Sequence, residues 1–279
     1  MNAKPKRRWY QFSLRALLVG MTVLCLGPGG FVAYEQNKAK RQKTAAEALE
    51  KLGVDVSSDR MNPARSPLMR QILGDESYGS MTLVNFRQIQ VTDAELVHLA
   101  VWRDLQRLEL DNTSATDAGL ANLSGLTKLE TLFLGNTQVT DAGLVHLAGL
   151  KGLTYLNLDN TQVTGEGLVH LTRLKALTRL TLIHTPLTDT NLVHLANLKS
   201  LMELWLDKTQ VSDAGLQHLS ELKCLTFLSL SDTQVTDAGL EHFTGLTDLE
   251  RLWVDKTEAT NAGIATLQKA LPNCRISRR

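Results

Sequence analysis

The chain of 279 residues has few cysteines, almost no net charge and none of the common catalytic motifs. Cys25, Cys224 and Cys274 form no CxxC pair and no even set, so the sequence predicts neither a structural zinc site nor a disulfide framework. A formal net charge of +1 provides no overall field that would attract nucleic acid or acidic partners. With 43% hydrophobic and 21% charged residues, the composition is too apolar for a disordered chain and sufficient for a large core.

A long hydrophobic run is present near the N-terminus, where residues 16–34 contain no charged side chain. At about 1.5 Å per residue, a helix of this length spans about 28 Å, close to the hydrocarbon thickness of a bilayer. Trp9 and Tyr10 precede the run, where an aromatic belt would lie. We therefore predict a basic tail at 1–15 and a single-pass transmembrane helix at 16–34. A cleaved signal peptide and a buried helix of a soluble domain are the alternatives.

The orientation of this anchor depends on the basic residues on its two sides. Those before or entering it are Lys4, Lys6, Arg7, Arg8 and Arg15, and those after it are Lys38, Lys40, Arg41 and Lys43. The difference is small under the positive-inside rule. Because the N-terminal tail is short, we expect it to stay inside and the remaining chain to lie on the extracytoplasmic side. Residues 35–80 are predicted to be a juxtamembrane linker and N-terminal cap, with Ala45, Ala48, Leu49 and Leu52 on the apolar, buried face of one helix.

Residues 81–279 repeat with a period of 24 residues. Each repeat contains the triplet LxxLxL, whose second leucine recurs at Leu108, Leu132, Leu156, Leu180, Leu204, Leu228 and Leu252. A degenerate copy beginning at Met81 precedes these seven. The triplet followed by a turn and a short helix is the leucine-rich repeat pattern. We predict an α/β solenoid of about eight repeats plus a C-terminal cap, a horseshoe with a parallel sheet on its concave face and short helices outside.

The repeat LxxLxLxxTxVTDAGLxxLxxL resembles that of bacterial membrane-anchored leucine-rich repeat proteins. It is also similar to the cysteine-containing repeat subclass of F-box proteins, with Thr113, Thr137 and Thr161 where that subclass has cysteine. The resemblance implies recognition of a protein or peptide partner and implies no catalytic residues. F-box activity itself is not implied.

Three polar positions also recur in every repeat or nearly so. Threonines such as Thr113 are expected to turn inward and bond to backbone groups that the sheet leaves unpaired. Thr–Asp pairs such as Thr116–Asp117 stand at a helix start, where hydroxyl or carboxylate oxygens cap free N–H groups. A cation-binding ladder of aspartates is the alternative. Histidines such as His146 are predicted to point sideways or outward on the outer helices.

The side chains on either side of the second leucine are predicted to line the solvent-facing side of the sheet. Five of them are aromatic and are expected to contact water, with a rim of mixed charge, which favours a protein interface over a phosphate track. The predicted partner-binding residues are Arg107, Glu109, Phe133, Tyr155, Arg179, Glu203, Trp205, Phe227, Arg251 and Trp253, together with His184 at a turn. A structural, self-associating envelope or lattice component is the alternative function.

An enzyme is the remote third interpretation. Ser229, His184 and Asp207 all lie on the predicted concave side and have the residue types of a hydrolytic trio. Each belongs to a different repeat and none stands in a nucleophile elbow, and no HExxH, Walker or paired-carboxylate motif occurs. We therefore predict a protein that is not an enzyme, without catalytic residues, cofactor, metal site or nucleic-acid partner.

Overall fold

One sheet of ten strands, ordered as in the chain, organises the molecule. The computed structural model describes residues 33–34, 36–58, 81–86 and 89–278. The strands are β1 (Asp55–Ser58), β2 (Met81–Asn85), β3 (Arg107–Glu109), β4 (Thr131–Phe133), β5 (Tyr155–Asn157), β6 (Arg179–Thr181), β7 (Glu203–Trp205), β8 (Phe227–Ser229), β9 (Arg251–Trp253) and β10 (Arg275–Ser277). Strands β2 to β10 are parallel, and β1 is antiparallel to β2.

Short helices connect the parallel strands from β2 onward. The α-helices are Asp93–Leu96, Asp117–Leu120, Leu168–Leu171, Asp213–Leu216, Asp237–Leu240 and Asn261–Ala270. The 3-10 helices are Val97–Val101, Ala121–Leu123, Asp141–Leu147, Asp189–Asn197, Gln217–Leu219 and Glu241–Phe243. The prediction of a solenoid with a parallel sheet and short helices is confirmed.

Stacked leucines form the core. Strand pairing places equivalent leucines opposite one another, as in Leu108 with Leu132 and Leu132 with Leu156. All three are completely buried, as are their equivalents in the later strands. At the turn after each of the strands β3 to β9, a threonine hydroxyl donates to the carbonyl of the residue three positions earlier, at 2.5–2.8 Å; that residue is a leucine in six repeats and Val254 in the last. The predicted inward orientation of these threonines is confirmed, and the backbone acceptors at each buried turn are thereby satisfied.

Non-repeating segments cover both ends of this core. A helix at 36–50 buries Ala45, Ala46 and Leu49, while β1 pairs along the free edge of β2. Leu52, predicted on the buried face, is 40% exposed because the helix has ended and the residue lies in the following turn. At the other end Cys274 is buried and Ile276 packs against the core. Burial raises the pKa of the Cys274 thiol to about 11.

The predicted anchor at 16–34 lies outside the described residues except for its last two positions. Within the described ranges, no helix has both the length and the apolar character that crossing a bilayer requires.

The aspartates of the Thr–Asp pairs connect neighbouring repeats. Asp117 does not cap its own helix: its Oδ1 accepts the N–H of Thr140 at 2.8 Å and its Oδ2 accepts the Thr140 hydroxyl at 2.6 Å. The Thr140 hydroxyl in turn accepts the N–H of Ala142 and caps the helix. The same Asp-to-Thr or Asp-to-Ser pairing recurs at Asp93, Asp141, Asp189, Asp213 and Asp237. The capping prediction is therefore right for threonine and wrong for aspartate.

This aspartate ladder explains the glycine that lies 26 residues after a ladder aspartate, at the equivalent point of the next repeat. A Cβ on Gly143 would lie 2.4 Å from Oδ1 of Asp117, and Gly119, Gly215, Gly239 and Gly263 are equally close to their own ladder aspartates. The aspartate of one repeat and the glycine of the next thus share one space. No side chain larger than hydrogen fits there without displacing the carboxylate.

The ladder has one interruption, and it is compensated. Gly165 occupies the aspartate position of its repeat, and the next repeat has Asn191 at the position where most other repeats have glycine. A Cβ on Gly165 would lie 2.6 Å from the Cβ of Asn191, so the asparagine fills the space that a carboxylate would otherwise need. The amide of Asn191 donates to the carbonyl of Thr164 at 3.2 Å.

Because a ladder aspartate and the glycine of the next repeat occupy the same space, replacing such a glycine with alanine should destabilise the fold, whereas a glycine elsewhere with room for a Cβ should tolerate the change. Gly143→Ala should lower the free energy of unfolding by about 1–3 kcal/mol, because the new Cβ displaces the Asp117 carboxylate from Thr140. Gly149→Ala is the matched control, since its Cβ would meet only the Ser124 carbonyl, at 3.7 Å. Urea unfolding of both variants measures the difference. Equal stabilities would contradict the assignment of the ladder.

Candidate functional site

The solvent-facing side chains of β3 to β9, called here the sheet face, contain all but one of the predicted binding residues. They flank the buried central leucine of each strand, and the pairing register aligns them in two rows. One row begins at Arg107 and ends at Arg251, and the other begins at Glu109 and ends at Trp253. His184 lies at the turn after β6 and has a left-handed backbone, with φ of 56°.

Phe133, Tyr155, Arg107 and Arg179 form the first contiguous group, the tyrosine patch. The Phe133 and Tyr155 rings meet edge to face with centroids 4.9 Å apart. The Arg107 guanidinium lies over Phe133 at 4.7 Å, and that of Arg179 lies over Tyr155 at 5.1 Å. Both guanidinium groups also bind a carboxylate at 2.6 Å, Arg107 that of Glu109 and Arg179 that of Glu203. Each arginine is therefore held by an aromatic face and an acid together.

Trp205, Phe227, Trp253 and Arg251 form the second group, the tryptophan patch. The centroids of Trp205 and Phe227 are 4.4 Å apart, those of Phe227 and Trp253 are 5.1 Å apart, and those of the two indoles are 5.4 Å apart. The Arg251 guanidinium lies 5.1 Å above the Phe227 ring. Both indoles stay partly exposed.

Two predicted binding residues are less accessible than the sequence indicated. Phe227 was expected to contact water but is 2% exposed, because both indoles and Arg251 pack on its ring. Glu109 is 6% exposed, and its carboxylate is bound by Arg107 of the same strand. These two side chains support their neighbours. A partner would meet Trp205, Trp253 and Arg107 before it meets either of them.

A row of acids follows the third leucine in alternate repeats, and its role was not anticipated. Asp111 and Asp159 each accept a backbone N–H from the next repeat at 2.8 Å, from Gly135 and Ile183 respectively. Desolvation by burial raises the pKa of Asp159, against hydrogen bonds from Ile183, Thr181 and Asn157 that lower it. Burial also raises the pKa of Tyr155, and the charge of Asp159 adds to that effect. The recurrence of aspartate in every second repeat was visible in the sequence, but its partners were not.

The trio considered for hydrolysis is not assembled. The Ser229 hydroxyl donates to Oδ1 of Asp207 at 2.5 Å. His184 contacts a different residue, with its Nδ1 2.8 Å from Oδ1 of Asn160. Because the histidine is not bonded to the serine, it cannot serve as its base in this arrangement.

The outer helices carry the histidines and a feature that the sequence reading missed. His98, His146, His170, His194 and His218 are partly exposed, and His242 is exposed, as expected for outward positions. The residue before four of them is an exposed valine: Val97, Val145, Val169 and Val193. These valines form an apolar row on the helix side of the solenoid.

Comparisons with known proteins agree with this architecture. Residues 103–163 match one leucine-rich repeat family and residues 221–243 match another. No curated protein matches the chain. Among solved structures, an internalin C2 from Listeria monocytogenes is similar with a TM-score of 0.59 and 25% identity, over 71% of this chain and 81% of that chain. In its repeat motif and in its fold, the chain resembles leucine-rich repeat proteins.

Two further bacterial structures are similar at lower scores. An internalin of the same species, inlF, has a TM-score of 0.49 and 21% identity, over 64% of this chain and 62% of that chain. A leucine-rich repeat protein of Leptospira interrogans has a TM-score of 0.45 and 22% identity, over 64% of this chain and 56% of that chain.

The opposite pKa shifts of two aspartates predict opposite pH effects. The pKa of Asp159 is raised, so its ionisation destabilises the fold at neutral pH, and Asp159→Asn should raise the Tm there. Asp141 is subject to the same desolvation, but hydrogen bonds from Thr164, Gly165 and Gly167 lower its pKa overall, so Asp141→Asn should lower the Tm. Both differences from the parent should shrink as the pH falls through the carboxylate range. Thermal unfolding between neutral and acid pH checks both signs, and a Tm decrease for Asp159→Asn would contradict the first.

Proposed function

We propose that this leucine-rich repeat protein recognises a protein or peptide partner through the sheet face, which we take to be the concave side of the solenoid. The observation that supports this most directly is the tryptophan patch. Two partly exposed indoles stand beside each other on the sheet face. Tryptophan, tyrosine and arginine are the side chains most enriched among interface residues that contribute most to binding energy, and repeat solenoids present extended surfaces of this kind.

The dimensions of the patch suit one anchoring element of a partner. It extends over β7, β8 and β9, which at about 4.8 Å per strand covers about 10 Å, the size of a bulky side chain or one helix turn. The tyrosine patch on β4, β5 and their neighbours provides a second contact area in line with the first. Arginines held over aromatic rings in both patches supply a polar rim without free side-chain motion.

Self-association into an envelope lattice is the second candidate function. The exposed row of Val97, Val145, Val169 and Val193 supports it, because exposed apolar rows on an otherwise polar surface often mark contact with another protein. Sedimentation over a wide concentration range distinguishes the two candidates. A concentration-dependent assembly that Val169→Ser weakens would favour the lattice, whereas a single sedimenting species would favour recognition.

We further propose that residues 16–34 anchor the protein in a membrane as a single-pass helix, with the repeats on the extracytoplasmic side. The proposal is supported by the uncharged run and by the basic residues on both of its flanks.

The sheet-face proposal predicts which substitutions weaken binding. Trp205→Ala combined with Trp253→Ala should weaken capture of the native partner by at least about 2 kcal/mol, because both indoles leave the centre of the surface. Because both indoles cover Phe227, the double substitution should also lower the Tm. The decrease should be larger than that caused by replacing two exposed side chains that cover no buried residue. Binding is therefore measured well below the Tm, after crosslinking in native membranes has identified the partner.

The matched control for the tryptophan pair is His146→Ala combined with His170→Ala on the outer helices. This pair should leave partner affinity unchanged. Loss of binding in the histidine pair and retention in the tryptophan pair would overturn the sheet-face proposal.

The anchor proposal predicts where the protein is found after cell disruption. The full-length chain should stay in the membrane fraction through a carbonate wash, because an uncharged helix of this length partitions into lipid. Deletion of residues 1–40 should release a soluble, folded protein whose far-ultraviolet circular dichroism matches that of the repeat region in the full-length chain. A full-length chain recovered in the supernatant would show the anchor to be wrong.

A further inference from the structure

Asp207 differs from the two aspartates that precede it in the acid row. Asp111 and Asp159 bind the backbone N–H one repeat later, and the equivalent donor for Asp207 would be Ser231. Asp207 instead accepts the Ser229 hydroxyl on its Oδ1. Within the described part of the chain, Asp207 Oδ2 and the Ser231 hydroxyl are buried and have no hydrogen-bond partner. A buried oxygen without a donor costs on the order of 1–3 kcal/mol, so a donor supplied to Asp207 Oδ2 would be favourable.

The carboxylate of Asp207 lies at the base of the tryptophan patch, where its Oδ1 accepts the hydrogen bond from Ser229. Ser229, its hydrogen-bond partner, lies between Trp205 and Trp253 in the pairing register of β7, β8 and β9. The serine is completely buried, since the two indoles approach each other on either side of it. Asp207 therefore stands beside two indoles that remain partly exposed.

The tyrosine patch shows which chemical group fits between a carboxylate and an aromatic ring. There the chain twice places a guanidinium over an aromatic ring and against a carboxylate, Arg107 with Phe133 and Glu109, and Arg179 with Tyr155 and Glu203. In the tryptophan patch, Arg251 lies over Phe227 and makes no ion pair within the described residues. No cation of the described chain lies over either indole, and none pairs with Asp207.

We infer that the partner inserts an arginine side chain at this place, with its guanidinium stacked on Trp205 or Trp253 and bonded to Asp207. The planar group has five N–H donors, so it satisfies Oδ2 of Asp207 and still reaches the Ser231 hydroxyl. Indole is the ring that binds cations best, and guanidinium loses less hydration than ammonium on burial. The inference rests on the proposed sheet-face recognition and makes Asp207 its specificity-determining residue.

Nearby turn residues do not by themselves select a cation. Lys208, Asp232, Asp255 and Lys256 follow β7, β8 and β9 and sum to no net charge. The preference for a guanidinium must therefore come from Asp207 and the indoles. This separates the inference from a general attraction between an acidic surface and a basic partner.

A small-molecule titration tests the site without knowledge of the partner. The full-length chain, labelled with ¹⁵N at tryptophan, is titrated with propylguanidinium, propylammonium and the neutral isostere propylurea. Propylguanidinium should shift the indole N–H signals of Trp205 and Trp253 saturably and leave the buried Trp102 unmoved. Propylammonium should bind more weakly, and propylurea should cause no saturable shift.

Two isosteric variants provide the control. Asp207→Asn keeps the acceptor for Ser229 but removes the charge, and it should weaken propylguanidinium binding at least about tenfold. Asp159→Asn, at the structurally equivalent position two repeats earlier, should leave the affinity within about twofold, as expected for a distant site without shared partners. Unchanged melting curves for Asp207→Asn ensure that the fold is retained.

Three results would overturn the inference: no saturable shift, equal shifts with propylurea, or equal affinity in Asp207→Asn. None of them removes the proposed function, which is tested by partner capture with the tryptophan pair. A partner lost on substitution of both tryptophans but retained by Asp207→Asn would uphold sheet-face recognition and reject arginine as its anchor. Loss of the partner in neither variant would reject both.

Discussion

The structure depends on one constraint: a repeat of this length cannot bury its leucines alone. Each strand is only three residues long from β3 onward, and its central leucine is shielded by the leucines of the strands on either side. The hydrophobic core therefore exists only because the repeats stack on one another. For this reason the 24-residue pattern is kept through the stack and is replaced by other segments at its two ends. The helix at 36–50 with β1, and the helix Asn261–Ala270 with β10, cover leucines that have a neighbour on one side only.

Hydrogen bonds impose a second coupling on top of this apolar one. Each ladder aspartate accepts hydrogen bonds from the backbone N–H and the hydroxyl of the threonine or serine that precedes the next helix. In several repeats this hydroxyl also accepts a backbone N–H of that helix and so caps its N-terminus. The close approach requires glycine two residues after the aspartate of the following repeat. Where Gly165 removes the carboxylate, Asn191 replaces the glycine and supplies a bond of its own. The helix side of the solenoid is thus occupied with stacking, and most of its polar groups already have partners.

The sheet face is under weaker constraint, because its side chains point away from the core. There the chain varies from repeat to repeat, and the variation is organised into two aromatic patches with bound arginines. The aspartates of the acid row occupy equivalent positions but differ in role: two of them stabilise the stacking of repeats, and we infer that the third binds the partner. Asp111 and Asp159 bind the backbone of the next repeat, whereas Asp207 accepts a hydrogen bond from Ser229 and has one carboxylate oxygen for which the described residues supply no donor.

The sequence by itself determined the repeat, the strand leucines, the inward threonines and the face on which the aromatic side chains lie, because all of these follow from positions within a single period. Tertiary structure alone decided that Asp117 serves Thr140, that Phe227 lies beneath two indoles, and that Asp207 differs from Asp159. These outcomes depend on how side chains of adjacent repeats share space. A pattern read along one repeat shows which residue types recur, but not toward which neighbour each of them turns.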